Sequence, residues 1–240
     1  MWITVSRHKI YILFFIIYAI ILSFQSLDLT SRRVVNPVNN KRIIVIDPGH
    51  GGIDGGTNIG NLLEKDINLE IGLRLKRYLA SRDNLRVIMT RKEDTALDHL
   101  NKSSTSRHSR DLKARVDIIN QSQGDLFVSL HVDYRPQQKY AWGPIVLYSK
   151  RHPQNKVLAA TLQKHLNKLK TSSSQHRAKN REDLYILKAK KTPGVIVEVG
   201  FFSNAQDRKR LQQRKYQEKL VEAIYRGVEE YFSTFKFITD

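Results

Sequence analysis

Residues 43–56, IIVIDPGHGGIDGG, decide the fold. An apolar, β-branched run stops at Asp47-Pro48-Gly49 and is followed at once by His50 and a string of glycines. Such a run reads as a strand buried on both faces, and the Pro-Gly pair as the turn that ends it. His50 then projects from the carboxyl end of that strand, the edge where open α/β sheets gather ligands and chemistry. Two later segments repeat the arrangement, LFVSLHVD with His131 and GVIVEVGFFSN with Glu198. Three strand ends carrying His, His and Glu point to a metal hydrolase.

Outward from this stretch, strands and helices alternate. Residues 66–80 space Ile67, Ile71, Leu75 and Leu79 as one face of an amphipathic helix. Residues 111–121 predict a second helix with Leu112, Val116 and Ile119 inward, closed by Gly124. A basic amphipathic helix is expected over 153–169, and a closing helix over 216–232. Strands are expected at 85–90, 126–131, 144–148, 184–187 and 195–199. The fold class is therefore α/β: a single domain with a mostly parallel or mixed central sheet of about six strands, covered by helices on both faces. Two long polar loops, 92–110 and 171–181, are candidates for substrate contact.

The 240 residues carry a formal net charge of +18. Residues 150–191 hold twelve Lys or Arg against only Glu182 and Asp183. Basic stretches suit anionic polymers such as nucleic acid, anionic lipid or cell-wall material, or are simply a solvated face. No nucleic-acid partner is expected, because no binding motif accompanies the charge. The chain has no cysteine, which excludes thiolate zinc sites, thiol nucleophiles and disulfides.

At the N-terminus, Arg7 and Lys9 precede an uncharged apolar run over residues 10–24. This is a signal-sequence pattern, and no small-x-small cleavage site follows it. The expected organisation is a membrane-anchor helix within 1–27, a polar linker over 28–41, and a catalytic domain over 42–236. The catalytic domain is then extracytoplasmic, membrane-anchored or secreted.

A catalytic zinc takes three His or carboxylate ligands and keeps one position open. His50 and His131 supply two imidazoles, and Glu64, just before the first helix, can be brought back to the same edge by the loop from His50. Glu198, flanked by valines, is the candidate proton shuttle. Arg91 and Arg115 either orient carboxylates of a substrate or serve as structural ion-pair partners. Asp47 and Asp66 read as turn and cap residues, Glu70 as solvent-facing. No role falls to His99, His108, His152, His165 or His176. A peptidase, or a wall-binding protein without activity, would fit the same residues.

DPGHGGIDGG, LLEKDINLEI, VIMTR, SLHVD and VEVGFFSN, in this order, resemble the zinc-dependent N-acetylmuramoyl-L-alanine amidases of the third amidase family. The resemblance spans roughly residues 42–232. It implies one zinc ion per chain on His50, Glu64 and His131, Glu198 as the catalytic carboxylate, and peptidoglycan as substrate. The stretch from Lys92 through DLKARVDIIN, and KYQEKLVEAIYRGVEEYF, resemble the germination-specific amidases of spore-forming bacteria. That finer likeness implies action on spore cortex toward muramic δ-lactam, with the space between the forespore membranes as a location; whether an activating lipoprotein partner is needed is not readable from the sequence. Two departures stand out. Asp133 replaces the asparagine usual two residues after the histidine, and residues 134–143 are too few for the autoinhibitory helix of some relatives.

Overall fold

The computed structural model describes Ile16 and residues 41–170 and 175–236. The expected anchor and linker, apart from Ile16 and Lys41, lie outside the described residues, as does the start of the 171–181 loop. Among the described residues, no helix is long and apolar enough to cross a membrane.

The first strand, β1 (Arg42–Pro48), is buried from Ile44 onward. A short hairpin, β2 (Asn58–Ile59) and β3 (Leu62–Leu63), leads into α1 (Glu64–Ala80). Then follow β4 (Leu85–Met89), α2 (Arg107–Gln121), β5 (Leu126–Asp133) and β6 (Ile145–Tyr148). The chain continues through α3 (Pro153–Leu166), β7 (Lys179–Asn180), β8 (Gly194–Phe201), α4 (Ala205–Leu211) and α5 (Arg214–Lys236). Six strands form one sheet in the order β4-β1-β5-β8-β6-β7. Strands β4, β1, β5 and β8 run parallel, and β6 is antiparallel to β8. The mostly parallel α/β architecture of the sequence reading is thus observed.

Side-chain alternation along each strand divides the core in two. Ile44 and Ile46, Val128 and Leu130, and Val195 and Val197 pack into one cluster with Ile71 and Leu75 of α1, Leu158 and Leu162 of α3, and Ile224 and Val228 of α5. Val45, Phe127 and Ile196 take the opposite parity and pack with Ile119 of α2, Ile186 and Leu187. Asp47, Ser129, His131 and Glu198 continue that second parity toward the strand ends, so the thinner face carries the polar groups.

Two expectations fail on this face. Residues 184–187 are not a strand; Tyr185–Lys188 form a 3-10 turn. Ile186 and Leu187 are adjacent and both enter one cluster, which a two-residue strand repeat forbids and a tight helical turn allows. The buried side of α2 also differs: Asp111, Ala114, Arg115 and Ile119 are buried, whereas Leu112 and Val116 are only half-buried. An ion pair sits where the apolar pattern placed aliphatic side chains.

That pair anchors the end of β1. Asp47, 1% exposed, accepts hydrogen bonds from Arg115 Nη1 (2.8 Å), Thr90 Oγ1 (2.6 Å) and Ser129 Oγ (2.7 Å). It is no turn residue. Burial works against its charge, but the Arg115 guanidinium and the two hydroxyls outweigh it and hold the carboxyl below its ordinary value. Breaking a buried pair leaves an uncompensated charge. Asp47→Asn should therefore cost about 3–5 kcal/mol in urea unfolding. Because the folded-state carboxyl binds its proton less tightly than the unfolded one, wild-type stabilisation from Asp47 is intact above about pH 4 and drains as pH falls further. The Asn variant should lose that acid limb, and an unchanged midpoint and pH profile would contradict the assignment.

Candidate metal centre

The turn after β1 is held in an unusual conformation. His50 has φ of 61°, a left-handed value that a non-glycine residue adopts only when its surroundings impose it. Those surroundings are two buried guanidinium groups. Arg115 donates to the carbonyls of Pro48 (2.8 Å) and His50 (2.6 Å), and to Asp111 (2.6 Å). Arg91 donates to the carbonyls of Pro48 (2.9 Å), Gly49 (2.9 Å), Lys65 (2.8 Å) and Glu93 (3.0 Å). Both arginines are 2% exposed. With their N–H groups committed to the fold, neither is free to grip a substrate carboxylate; they position the His50 turn instead.

His50, Glu64 and His131 converge. One ligand atom from each lies within 4.8 Å of the others. Glu64 Oε1 is 3.1 Å from His50 Nε2 and 3.1 Å from His131 Nδ1. The two imidazoles meet edge to face, with centroids 4.9 Å apart. Donor atoms around a tetrahedral zinc, each bonded at about 2.0–2.2 Å, stand about 3.3 Å from one another. The two separations from Glu64 are close to that value, and the donor set is one that zinc accepts. Glu64 is fixed by the N–H groups of Val132 (3.1 Å) and Thr57 (2.9 Å), and His50 by Asp54, whose Oδ2 lies 3.0 Å from Nδ1. A carboxylate on the far nitrogen of a ligating imidazole sets its tautomer and orientation.

Two glycines leave the room this cluster needs. A Cβ added to Gly49 would overlap the His131 ring. At Gly56, where φ is +66°, it would sit 2.7 Å from His50 Cδ2 and 2.8 Å from Glu64 Oε2.

The electrostatics separate the two glutamates. Burial opposes the ionised form of Glu64, but hydrogen bonds and charge from His131 and His50 carry its carboxyl far below the usual range. Burial likewise opposes protonation of His50, yet Glu64 and Asp54 lift it to about 9. Glu198 goes the other way, to about 8, through desolvation and the nearby charges of Asp133 and Glu64. It pairs in register with His131 across β5 and β8. Its Oε2 is sealed from solvent and has no hydrogen-bond partner among the described residues. An orphaned buried carboxylate oxygen calls for a ligand or a proton.

His50, Asp54, His131 and Glu198 border a cavity of about 200 Å3, which Leu112, Leu184, Ile186 and Ile196 wall on the apolar side. His108 also reaches it, 4.0 Å from Asp54. The sequence reading missed Asp54 and His108. The i, i+4 spacing of His50 and Asp54 across a glycine turn was the available signal for the first.

A sequence profile of the N-acetylmuramoyl-L-alanine amidases matches residues 44–230. The chain belongs to this amidase family. It is 35% identical to the germination-specific N-acetylmuramoyl-L-alanine amidase of Bacillus subtilis over 224 residues, 93% of each chain. It is 30% identical to the B. subtilis amidase LytC, of whose length it spans only 38%. Among solved structures, the CwlD amidase of Clostridioides difficile, in complex with the GerS lipoprotein, superposes with a TM-score of 0.73 at 36% identity, covering 81% of this chain and all of that one. Amidase activity toward peptidoglycan follows from membership.

Gly49→Ala should displace the His131 ring without unfolding the sheet. Zinc affinity, measured by competition with a chromophoric chelator, should fall at least about tenfold while circular dichroism stays as in wild type. Unchanged affinity would mean that His131 is not a ligand.

Proposed function

We propose that this amidase is a zinc hydrolase of the lactyl–L-alanine amide in peptidoglycan, acting on spore cortex as a step toward muramic δ-lactam. The observation that carries the zinc assignment is the convergence of His50, Glu64 and His131 on one point, beside an unsatisfied Glu198. Zinc held there would supply Lewis-acid polarisation of the scissile carbonyl and a water acidic enough to attack it.

The chain's own residues do the rest. Glu198, with its proton affinity raised into the neutral range, takes a proton from the attacking water and returns it to the departing alanine nitrogen. Asp54 holds the His50 imidazole so that Nε2, not Nδ1, faces Glu64. Val132 and Thr57 keep the Glu64 carboxylate in a single orientation before any ligand arrives.

The cortex role rests on identity to a germination-specific enzyme along nearly the whole of both chains. The same likeness, with the apolar run at residues 10–24, supports an extracytoplasmic, membrane-tethered enzyme. A lipoprotein partner is consistent with the complex in which the similar CwlD amidase was solved.

Purified protein incubated with cortex peptidoglycan should release new L-alanine N-termini, read by dansylation and mass spectrometry. Glu198→Gln should keep zinc and lose at least about 100-fold in rate. New termini at other residues would make the enzyme a peptidase, and substantial turnover by Glu198→Gln would remove that carboxylate from the chemistry.

A further inference from the structure

The turn that carries His50 is held at two ends, by different residues. Arg91 and Arg115 grip the inner end, and beyond them the chain doubles back at once. The Gly51 N–H donates to the Asp54 carbonyl (2.9 Å), and the Asp54 N–H to the Gly51 carbonyl (3.1 Å). Ile53, at the tip, is 80% exposed, so no apolar packing pins the outer end. Three glycines among residues 51–55 give it little rigidity of its own.

An ion pair supplies that rigidity. Asp94 Oδ1 accepts from the Gly52 N–H at 2.7 Å, and Lys65 Nζ donates to the Gly52 carbonyl at 2.8 Å. Lys65 Nζ and Asp94 Oδ2 are themselves 2.7 Å apart. The pair thus closes on both backbone polar groups of one residue. The Lys65 ammonium, joined by the Gly52 N–H, holds the Asp94 carboxyl below its ordinary value and keeps it ionised. An exposed pair of this kind adds little to stability, so its placement on the turn asks for another reason.

The turn delivers Asp54. Its Oδ2 lies 3.0 Å from His50 Nδ1, and its Oδ1 accepts from the Gly56 N–H at 3.1 Å. Lys65 directly follows Glu64 at the start of α1, so the pair ties the His50 turn to the helix that carries a second member of the cluster. We propose that Lys65 and Asp94 are positioning residues of the metal centre: closed on Gly52, they keep Asp54 on His50 Nδ1 and so keep Nε2 aimed at the cation. This inference rests on the zinc reading and extends it to two residues that touch neither the cation nor an imidazole. The 92–110 loop, which the sequence offers for substrate contact, gains through Asp94 a task in holding the metal.

The test measures zinc affinity of the full-length protein by competition with a chromophoric chelator, and the visible absorption of the cobalt-loaded form, which reports ligand geometry. Asp54→Ala should weaken zinc binding about 10–100-fold, as loss of a carboxylate behind a ligating imidazole does. Asp94→Ala should weaken it about tenfold and shift the cobalt bands, while the urea midpoint of the metal-free protein stays close to wild type. Asp94→Asn, whose amide oxygen can still accept from Gly52, should recover part of that loss. The Asp54→Ala/Asp94→Ala double variant should bind zinc no more weakly than Asp54→Ala alone, because the second residue acts through the first. Losses that multiply, wild-type affinity and spectrum in Asp94→Ala, or unfolding of its metal-free form would each overturn the positioning role and leave the zinc site standing. Wild-type protein that binds neither metal overturns the zinc reading and this inference together.

Discussion

Everything at the site depends on two guanidinium groups buried under the end of β1. Arg115 and Arg91 together occupy the carbonyls of Pro48, Gly49 and His50, and Asp47 and Asp111 supply opposing charge. Taking such ions out of water costs several kcal/mol each, so an apolar filling would serve stability as well or better. Their return is conformational. A tight turn with free carbonyls and a left-handed His50 would relax toward ordinary dihedral angles, since such a residue carries strain of about 1–3 kcal/mol. Donors on both sides of the turn remove that freedom, and the imidazole stays aimed at Glu64.

From the fixed turn the chemistry separates into two carboxylates in opposite states. Glu64, between two imidazoles and two backbone N–H groups, is held ionised. Glu198, paired in register with His131, is desolvated beside other negative charge and stays proton-hungry. Paired titratable groups driven apart in this way support the proposed division of labour between gripping a cation and moving a proton. Asp133, an acid where an asparagine was expected, adds to the second effect, while its ion pair with Arg135 limits it.

Much of this was legible in the chain. Unbroken apolar runs ending in Asp-Pro-Gly or in His gave the parallel strands, because strands buried on both faces carry such runs. The same strand ends gave His50, His131 and Glu198, and the turn before α1 gave Glu64. What was hidden depended on long-range pairing. Arg115 reads equally as a substrate-orienting or an ion-pairing residue until Asp47, 68 positions away, is brought against it. Arg91 is likewise recognisable as a positioning residue only once its carbonyl partners are assembled. Tyr185–Lys188 were misread because a short apolar run has no period of its own, and only burial of neighbouring side chains in one cluster distinguishes a turn from a strand.

The most direct test of the account is anomalous diffraction from crystals of the zinc-loaded protein, recorded on both sides of the zinc absorption edge. One peak should appear per chain, at about 2.0–2.2 Å from His50 Nε2, Glu64 Oε1 and His131 Nδ1. A peak bound elsewhere, or none at these three atoms in protein saturated with zinc, would contradict it.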